Sequence, residues 1–373
     1  MRQKHNHPQA GLSLIELMVA LVVGLILLAG VLAIFAASNR TNSATGAESQ
    51  LQENGRFALD FIRTSTRMAG NVGCTNLNLS NSLLTTPSAN PVLPDISYDF
   101  TNAVEGFEAD GTAGTAPGNT YDDVESPVPG GTWTPTLDNY LTTAPFKVMP
   151  GTDVLVIHSA QGLPATVTVI VNNAAAFTVN AVPAGITVGS LAVITDCVKA
   201  TTFQVTGTGG GVIGHAAGPP PTPGDAVGAF FPNAQYDVGS QMLAMQTTVF
   251  YIGQGADKGP ALMQATLPVA GPPLTSQELV PDVENMQILY GVDTTGAQMP
   301  SEYDTADVVN STGNWGNVVS VRVALLLRSE TGAAPLPANA PQFNLLGTKI
   351  NAPKDTRLRR VFTATIGLRN LLP

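Results

Sequence analysis

The feature that most constrains this chain is one long apolar run over residues 12–37, LSLIELMVALVVGLILLAGVLAIFAA, in which Glu16 is the single charge. As a helix rising about 1.5 Å per residue, the run spans roughly 39 Å, enough to cross the hydrocarbon core of a bilayer. Residues 1–11, MRQKHNHPQAG, are polar and basic, with Arg2 and Lys4 as fixed positive charges. Positive flanks stay cytoplasmic, so a single-span protein with its bulk exported is expected. An ordinary cleaved signal peptide has a much shorter apolar region and no acidic residue near its start. A plain anchor accounts for the length but not for Glu16, since a carboxylate at membrane depth costs about 2.5–3.5 kcal/mol on insertion scales. The alternative is that Glu16 sits at the interface, favoured by the positive end of the helix dipole.

Helical spacing continues past the run. Leu51, Ala58, Phe61, Ile62 and Met68 recur near helical intervals, with Glu53, Arg56, Asp60, Arg63 and Arg67 on other faces. Gly46 and Gly55 are soft points, each about 1 kcal/mol worse than alanine. Gly70 and Gly73 are stop signals. One helix over 12–70 is expected, with Phe57, Phe61 and Met68 packed on a sheet. Residues 75–150, rich in Asn, Ser, Thr, Pro and Gly, read as irregular loops. Strands are expected at 152–160, 165–173, 191–197, 202–206, 245–252, 261–267, 286–292, 318–327 and 360–369. The proline-rich segments 217–224 and 331–341 are loops, because proline cannot serve in central strands. The fold class is therefore α+β: a long helix packed on an antiparallel sheet domain with long loop insertions.

Composition narrows the function classes. Of 373 residues only 12% are charged, while 37 are glycine and 28 proline, a mix suited to a loop-rich extracytoplasmic β protein. A net charge of −10 argues against a general nucleic-acid binder, which needs a basic surface. The two cysteines, Cys74 and Cys197, sit in no metal-binding pattern. In an exported chain an even count favours one disulfide, two unrelated buried thiols being the alternative. Closing so long a loop stabilises by roughly 4–5 kcal/mol in the chain-entropy model.

Catalytic and cofactor patterns are mostly missing. His5 and His7 precede the apolar run, and His158 and His215 have no neighbouring His or Cys at ligand spacing. Gly209, Gly211 and Gly214 match GxGxxG in form, but the HAAGPPPTP that follows cannot open the helix the motif requires. Carboxylates cluster at Asp122, Asp123 and Glu125, and at Asp293, Glu302, Asp304 and Asp307. No EF-hand pattern accompanies them, so solvated loop charge is expected rather than calcium. No enzyme, cofactor or metal site is expected.

One motif joins these strands. Gly11-Leu12-Ser13-Leu14-Ile15-Glu16 resembles the class III signal of type IV pilins and pseudopilins, with Leu12 where that family usually has Phe. The resemblance implies that a prepilin peptidase cuts between Gly11 and Leu12 and methylates the new amine of Leu12. Glu16 then becomes the fifth mature residue, about 6 Å along the helix from that amine. A neighbour's N-terminal ammonium could be satisfied by this carboxylate, a buried charge that finds its partner on assembly.

LQENGRFALDFI from Leu51, ITDC around Cys197, FQVT from Phe203, VENMQILYGVD from Val283, VVSVRVALLLRS from Val318 and LRRVFTATIGLRN from Leu358 resemble the PilW-type minor pilins. That branch implies a Cys74–Cys197 bridge. With the pilin signal, the residue patterns divide the chain into a leader (1–11), a membrane segment (12–37), the periplasmic half of the helix (38–70) and a β-rich domain (71–373) with an insertion around 75–150. The PilW-type resemblance also implies a minor pilin in the inner membrane of a Gram-negative bacterium, later on the pilus, that helps initiate assembly at or near the tip. The implied partners are other minor pilins, the major pilin, the prepilin peptidase and the inner-membrane assembly platform, with a tip adhesin as a further candidate. A minor pseudopilin of type II secretion is the alternative. A tethered adhesin or enzyme would need a distinct catalytic or carbohydrate-binding domain.

Overall fold

No proline interrupts residues 12–74, so nothing there removes a helical hydrogen bond. In the computed structural model one helix, α1 (Leu14–Arg67), occupies most of that stretch. The structure describes residues 13–74, 96, 100, 102–110, 120–122, 131–137, 139–142, 146–172, 176–215, 236–267 and 275–369. Beyond α1, Gly70 and Gly73 turn the chain at φ of +71° and +97°, where a side chain would be strained.

The second half of α1 buries Leu51, Gly55, Ala58, Ile62 and Thr66, three or four residues apart on one face. Phe57, Phe61 and Met68 do not join them. They are 51%, 44% and 42% exposed, which corrects the packing expected from spacing. The docked face is the one that lets the sheet approach. A Cβ at Gly55 would stand 2.7 Å from the Phe362 ring, so this glycine is a contact requirement rather than a soft point.

In chain order the strands begin with β1 (Val104–Ala109), β2 (Thr120–Asp122) and β3 (Trp133–Thr134). The short helix α2 (Asn139–Thr142) precedes β4 (Val154–Asn172) and β5 (Ala176–Val179). Next come β6 (Leu191–Thr195), β7 (Ala200–Gln204), β8 (Gly207–Gly209) and β9 (Val212–Gly214). β10 (Gln241–Gln254), β11 (Pro260–Leu267), β12 (Thr275–Pro281), β13 (Val283–Val292) and β14 (Glu302–Asp304) lead to helix α3 (Ala306–Thr312). The chain closes with β15 (Val318–Arg328), β16 (Gln342–Leu345), β17 (Thr348–Asn351) and β18 (Arg359–Gly367).

A four-stranded antiparallel sheet, β14-β13-β15-β18, meets the buried face of α1. Leu51, Ala58 and Ile62 share a core there with Met286, Val323 and Leu325. A three-stranded sheet, β16-β17-β2, adds Leu345 and Ile350 to a second layer against Ala324 and Leu326 of β15. The eleven-stranded sheet runs through β12-β11-β10-β4 and shares the main core through Leu155, Ile157, Phe250 and Ile252.

Two expectations needed correction here. Residues 75–150 are not all loop: β1 pairs along β4, and β3 pairs with β1. Glu105 and Glu108 break the apolar alternation of β1, which hid the strand. The strands expected at 152–160 and 165–173 are one, β4, because residues 162–164 form a bulge instead of a break. Gln161 pairs with Ala244 and Ala165 with Met242, leaving the intervening stretch of β4 extra, with Gly162 at φ +82°.

Past this bulge the large sheet closes on itself. β4 pairs with β10, β10 with β6, and β6 with β7. β7 runs on through Val205 and Thr206 into β8, which pairs with β9; β9 pairs with β5, and β5 with β4. The backbone N–H groups of Val205 and Thr206 reach Ser190 and Gly214 at 2.8 Å each, so the ring has no gap at the join. Val167, Phe177, Val179, Ile194, Phe203 and Ile213 fill this small barrel. Alternation of inward and outward residues is what a closed sheet requires.

A buried carboxylate links the sheets. Asp153 accepts the N–H of Ala109 in β1 at 3.1 Å and that of Ile288 in β13 at 2.8 Å. Burial pushes its carboxyl from 3.8 up to about 7, against the pull of those two N–H groups and with a push from Asp307. Between the unfolded value and about 7 the folded chain thus holds a proton that the unfolded chain lacks. The stability it contributes is present at low pH and is lost as pH rises through about 7. Thermal midpoints of wild type and Asp153→Asn, followed from pH 5 to 7, are expected to differ in slope, the wild type falling more steeply. Parallel slopes would contradict this assignment.

Candidate assembly site

Gly11 and Leu12, the residues of the expected cut, lie outside the described residues. The site therefore begins at Ser13, extended at φ −69° and ψ 143°, as the N-cap of α1. Glu16 stands in the first turn, and its Oε2 accepts the backbone N–H of Ser13 at 3.1 Å. That bond satisfies one of the N-terminal donors a helix leaves open and places negative charge at the positive end of the dipole. The glutamate thus has a local role in its own helix. Its carboxylate is also exposed, one turn from the helix start, and able to meet a cation from another molecule.

Around and beyond Glu16 the helix is apolar on every side. Its most apolar stretch has a mean hydropathy of 3.1 and no buried residue, so this helix is long and apolar enough to cross a membrane. Apolar surface of this extent requires lipid or other helices around it.

The far end of α1 is fastened covalently. Cys74 and Cys197 form a disulfide with Cα atoms 4.9 Å apart. Cys197 sits in the turn between β6 and β7 at φ +69°, unusual for a residue with a side chain. Local bonds hold the turn. Thr195 Oγ1 donates to the Lys199 carbonyl at 3.0 Å and accepts the Cys197 N–H at 3.1 Å. Asp196 Oδ1 accepts the N–H groups of Val198 and Lys199 at 3.0 and 2.9 Å. The bridge therefore ties the end of the helix to the barrel.

The remaining candidates are structural. His158 is buried, its Nδ1 3.0 Å from Thr247 Oγ1 and its ring edge-on to Phe100. His215 is buried in the barrel, stacked on Phe177. The glycines that matched GxGxxG form the β8–β9 hairpin, with Gly210 and Gly211 at positive φ in its turn. Asp293 accepts N–H groups from Thr295, Gly296 and Gln298 of its own loop. Glu302, Asp304 and Asp307 lie on β14 and α3. Among the described residues no group of three His, Cys, Asp or Glu is placed to hold a metal ion. Asp123 and Glu125 lie outside the described residues, as does the side chain of Asp122.

Sequence patterns did not reveal a buried ion network beneath α1. Arg359 donates to Glu284 at 2.7 and 2.9 Å and to Asp355 at 2.7 and 2.8 Å. Arg328 meets Asp282 at 3.0 Å and Glu284 at 3.4 Å. Ala47, Gln50, Leu51 and Asn54 of α1 line the small cavity above Asp282 and Arg328. Glu48 of α1 also pairs with Arg360 of β18. The only available signal was alternation of opposite charges between distant strands, which a single sequence does not pair.

Comparison with known proteins gives two family matches. Residues 249–370 match the model described as Type IV Pilus-assembly protein W, and residues 6–32 match the Prokaryotic N-terminal methylation motif. The first range runs from β10 to just past β18, and the barrel lies almost wholly outside both ranges. No curated protein is significantly similar. A type IV-like pilin from Thermus thermophilus is similar at 18% identity, covering 35% of this chain and 70% of its own, with a TM-score of 0.22.

Proposed function

We propose that this chain, whose residues 249–370 match the type IV pilus-assembly protein W family and whose residues 6–32 match a prokaryotic N-terminal methylation motif, is a minor pilin that helps initiate pilus assembly and resides at or near the tip. The family is structural and non-enzymatic, and the motif implies processing by a prepilin peptidase. The observation that carries the finer reading is the continuity of α1. One helix bears an uncovered apolar half and a half clamped onto a sheet, so the globular domain follows wherever the apolar half is inserted.

Processing at Gly11 frees the amine of Leu12, and Glu16 supplies the carboxylate for a neighbour's ammonium. The Ser13 N–H is then the local partner that Glu16 exchanges or shares on assembly. Sibling minor pilins, the major pilin and the assembly platform are the partners this chemistry serves. Insertion of the domain into the periplasm through the inner membrane follows from the basic leader.

The test is the protein from its native host. Mass spectrometry should find N-methylated Leu12 as the first residue. Glu16→Gln should insert normally, since a neutral amide costs less in hydrocarbon than an ionised acid. Its recovery in sheared surface filaments should fall several-fold relative to its membrane pool. An intact Met1, or normal filament recovery of the variant, would remove the mechanism.

A further inference from the structure

We propose that two copies of this chain join side by side through opposite edges of the four-stranded sheet, the acidic β14 edge of one against the arginine-bearing β18 edge of the next. That sheet and α1 lie within residues 13–74 and 275–369, each described without a break. Among the described residues β14 and β18 each pair on one side alone, β14 with β13 and β18 with β15. A free edge offers its N–H and C=O groups to another strand, and charge, proline or a bulge is the usual protection. From Val361 to Gly367 β18 has none of these, and Thr363, Thr365 and Gly367 are exposed.

Strand direction and level fit a second copy. Neighbours in the sheet are all antiparallel, so β14 runs antiparallel to β18. A copy set beside the first in the same orientation therefore continues the sheet with antiparallel pairing. Tyr290 pairs with both Asp304 and Val321, and Val321 with Ile366, which puts Asp304 level with Ile366. Gly291 and Ser320 likewise put Tyr303 level with Gly367. The same orientation is what one membrane imposes on two copies of α1, and nothing else is taken from the proposed function.

The charges fit as well. Glu302 and Asp304 stand on the sheet face that carries α1, since they pair with Val292 and Tyr290 of the main core. Asp307 lies close by: burial raises the Asp304 carboxyl, and Glu302 and Asp307 raise it further. None of these three acids forms an ion pair among the described residues, and Arg322 of the opposite face lies over the Tyr303 ring at 3.8 Å. At the other edge α1 lies over β18 and β15. Gly55 is level with Phe362. At about 1.5 Å per helix residue and 3.4 Å per strand residue, Arg63 is then level with Ile366, and Arg67 lies one turn beyond. Both arginines lie off the buried face of α1, on the flank of Glu48, which pairs with Arg360 of β18. Arg369 ends the β18 edge, and none of Arg63, Arg67 and Arg369 has an ion-pair partner among the described residues. Glu53 and Asp60, the acids on this part of α1, form no ion pair with them. A second copy rather than an unrelated protein follows from this match, because direction, level and sign of charge are all met by the chain's own other edge. The contact is heterologous, each copy giving a different edge to each neighbour.

The experiment co-expresses two differently tagged full-length copies in the native host, one with Tyr303→Cys and the other with Gly367→Cys. A disulfide between the two copies is expected. Adding Arg63→Glu, Arg67→Glu and Arg369→Glu to the Gly367→Cys copy should lower its yield about tenfold, since three attractions become repulsions. Adding Glu302→Arg, Asp304→Arg and Asp307→Arg to the Tyr303→Cys copy as well should restore it. That rescue separates lost contact from lost folding, and the Cys74–Cys197 bridge, mapped in every variant, should stay intact. No disulfide between the copies, equal yields with and without the charge reversals, or failure of the double reversal to restore the yield would each overturn the proposal. So would a Tyr303→Cys copy that joins only another Tyr303→Cys copy. Leader processing and the Glu16→Gln filament assay test the minor-pilin reading separately, and either can fail while this contact stands.

Discussion

Glu284→Gln is expected to destabilise the folded domain by about 3 kcal/mol, because it removes one charge from a buried, hydrogen-bonded set without removing its partners. Glu284 is 2% exposed and holds Arg359 through both carboxylate oxygens while also meeting Arg328. The network balances three acids, Asp282, Glu284 and Asp355, against Arg328, Arg357 and Arg359. With glutamine the set becomes net positive, although Asp355 still restrains Arg359. Arg359→Met should be at least as damaging, as it leaves Glu284 and Asp355 with only their longer contacts to Arg328 and Arg357. The paired change Glu284→Met with Arg359→Met is expected to recover much of the loss, since a buried ion pair is often no better than apolar groups of similar volume. Denaturant midpoints of the detergent-solubilised full chain measure all three. Additive single and double losses would show that the network is not an interacting unit.

The second large effect is expected from replacing Cys74 and Cys197 by serine. The bridge spans a sequence separation of 123, and freeing that loop in the unfolded chain is worth about 4–5 kcal/mol in the chain-entropy model. The folded state loses its covalent tie between α1 and the β6–β7 turn, so the barrel should loosen before the rest. A lower midpoint with an early loss of the barrel's signals is expected, while membrane insertion is unchanged because the apolar run lies upstream. Equal midpoints for the two proteins would contradict this. Non-reducing peptide mapping of wild type should recover the Cys74–Cys197 pair, and two freely alkylated thiols would also contradict it.

Much of this protein was legible in its sequence because the relevant physics is local or nearly so. An apolar run too long for a signal peptide, one acidic residue in its first turn and a proline-free continuation determine α1 within a few residues of its ends. Aliphatic alternation likewise located β6, β10, β13, β15 and β18. Two cysteines, in a chain whose N-terminus predicts export, pointed to their bridge.

What the tertiary structure decided depends on which surfaces meet. Helical spacing put Phe57, Phe61 and Met68 against the sheet, whereas the close approach of Phe362 to Gly55 selects the face with small residues and leaves Phe57 and Phe61 outside. β1 could not be read from its sequence, because Glu105 and Glu108 interrupt its apolar pattern and its pairing partners in β3 and β4 are distant in sequence. The bulge at Gly162 reads in sequence as a strand end. It is a bend, because β10 continues to pair on both sides of it, and that bend lets the sheet close into a barrel. Ion partners such as Glu284 and Arg359, and the carboxylate of Asp153 between two sheets, are distant in sequence. Their pairing energy exists only once the strands that carry them are side by side, and no local pattern records it.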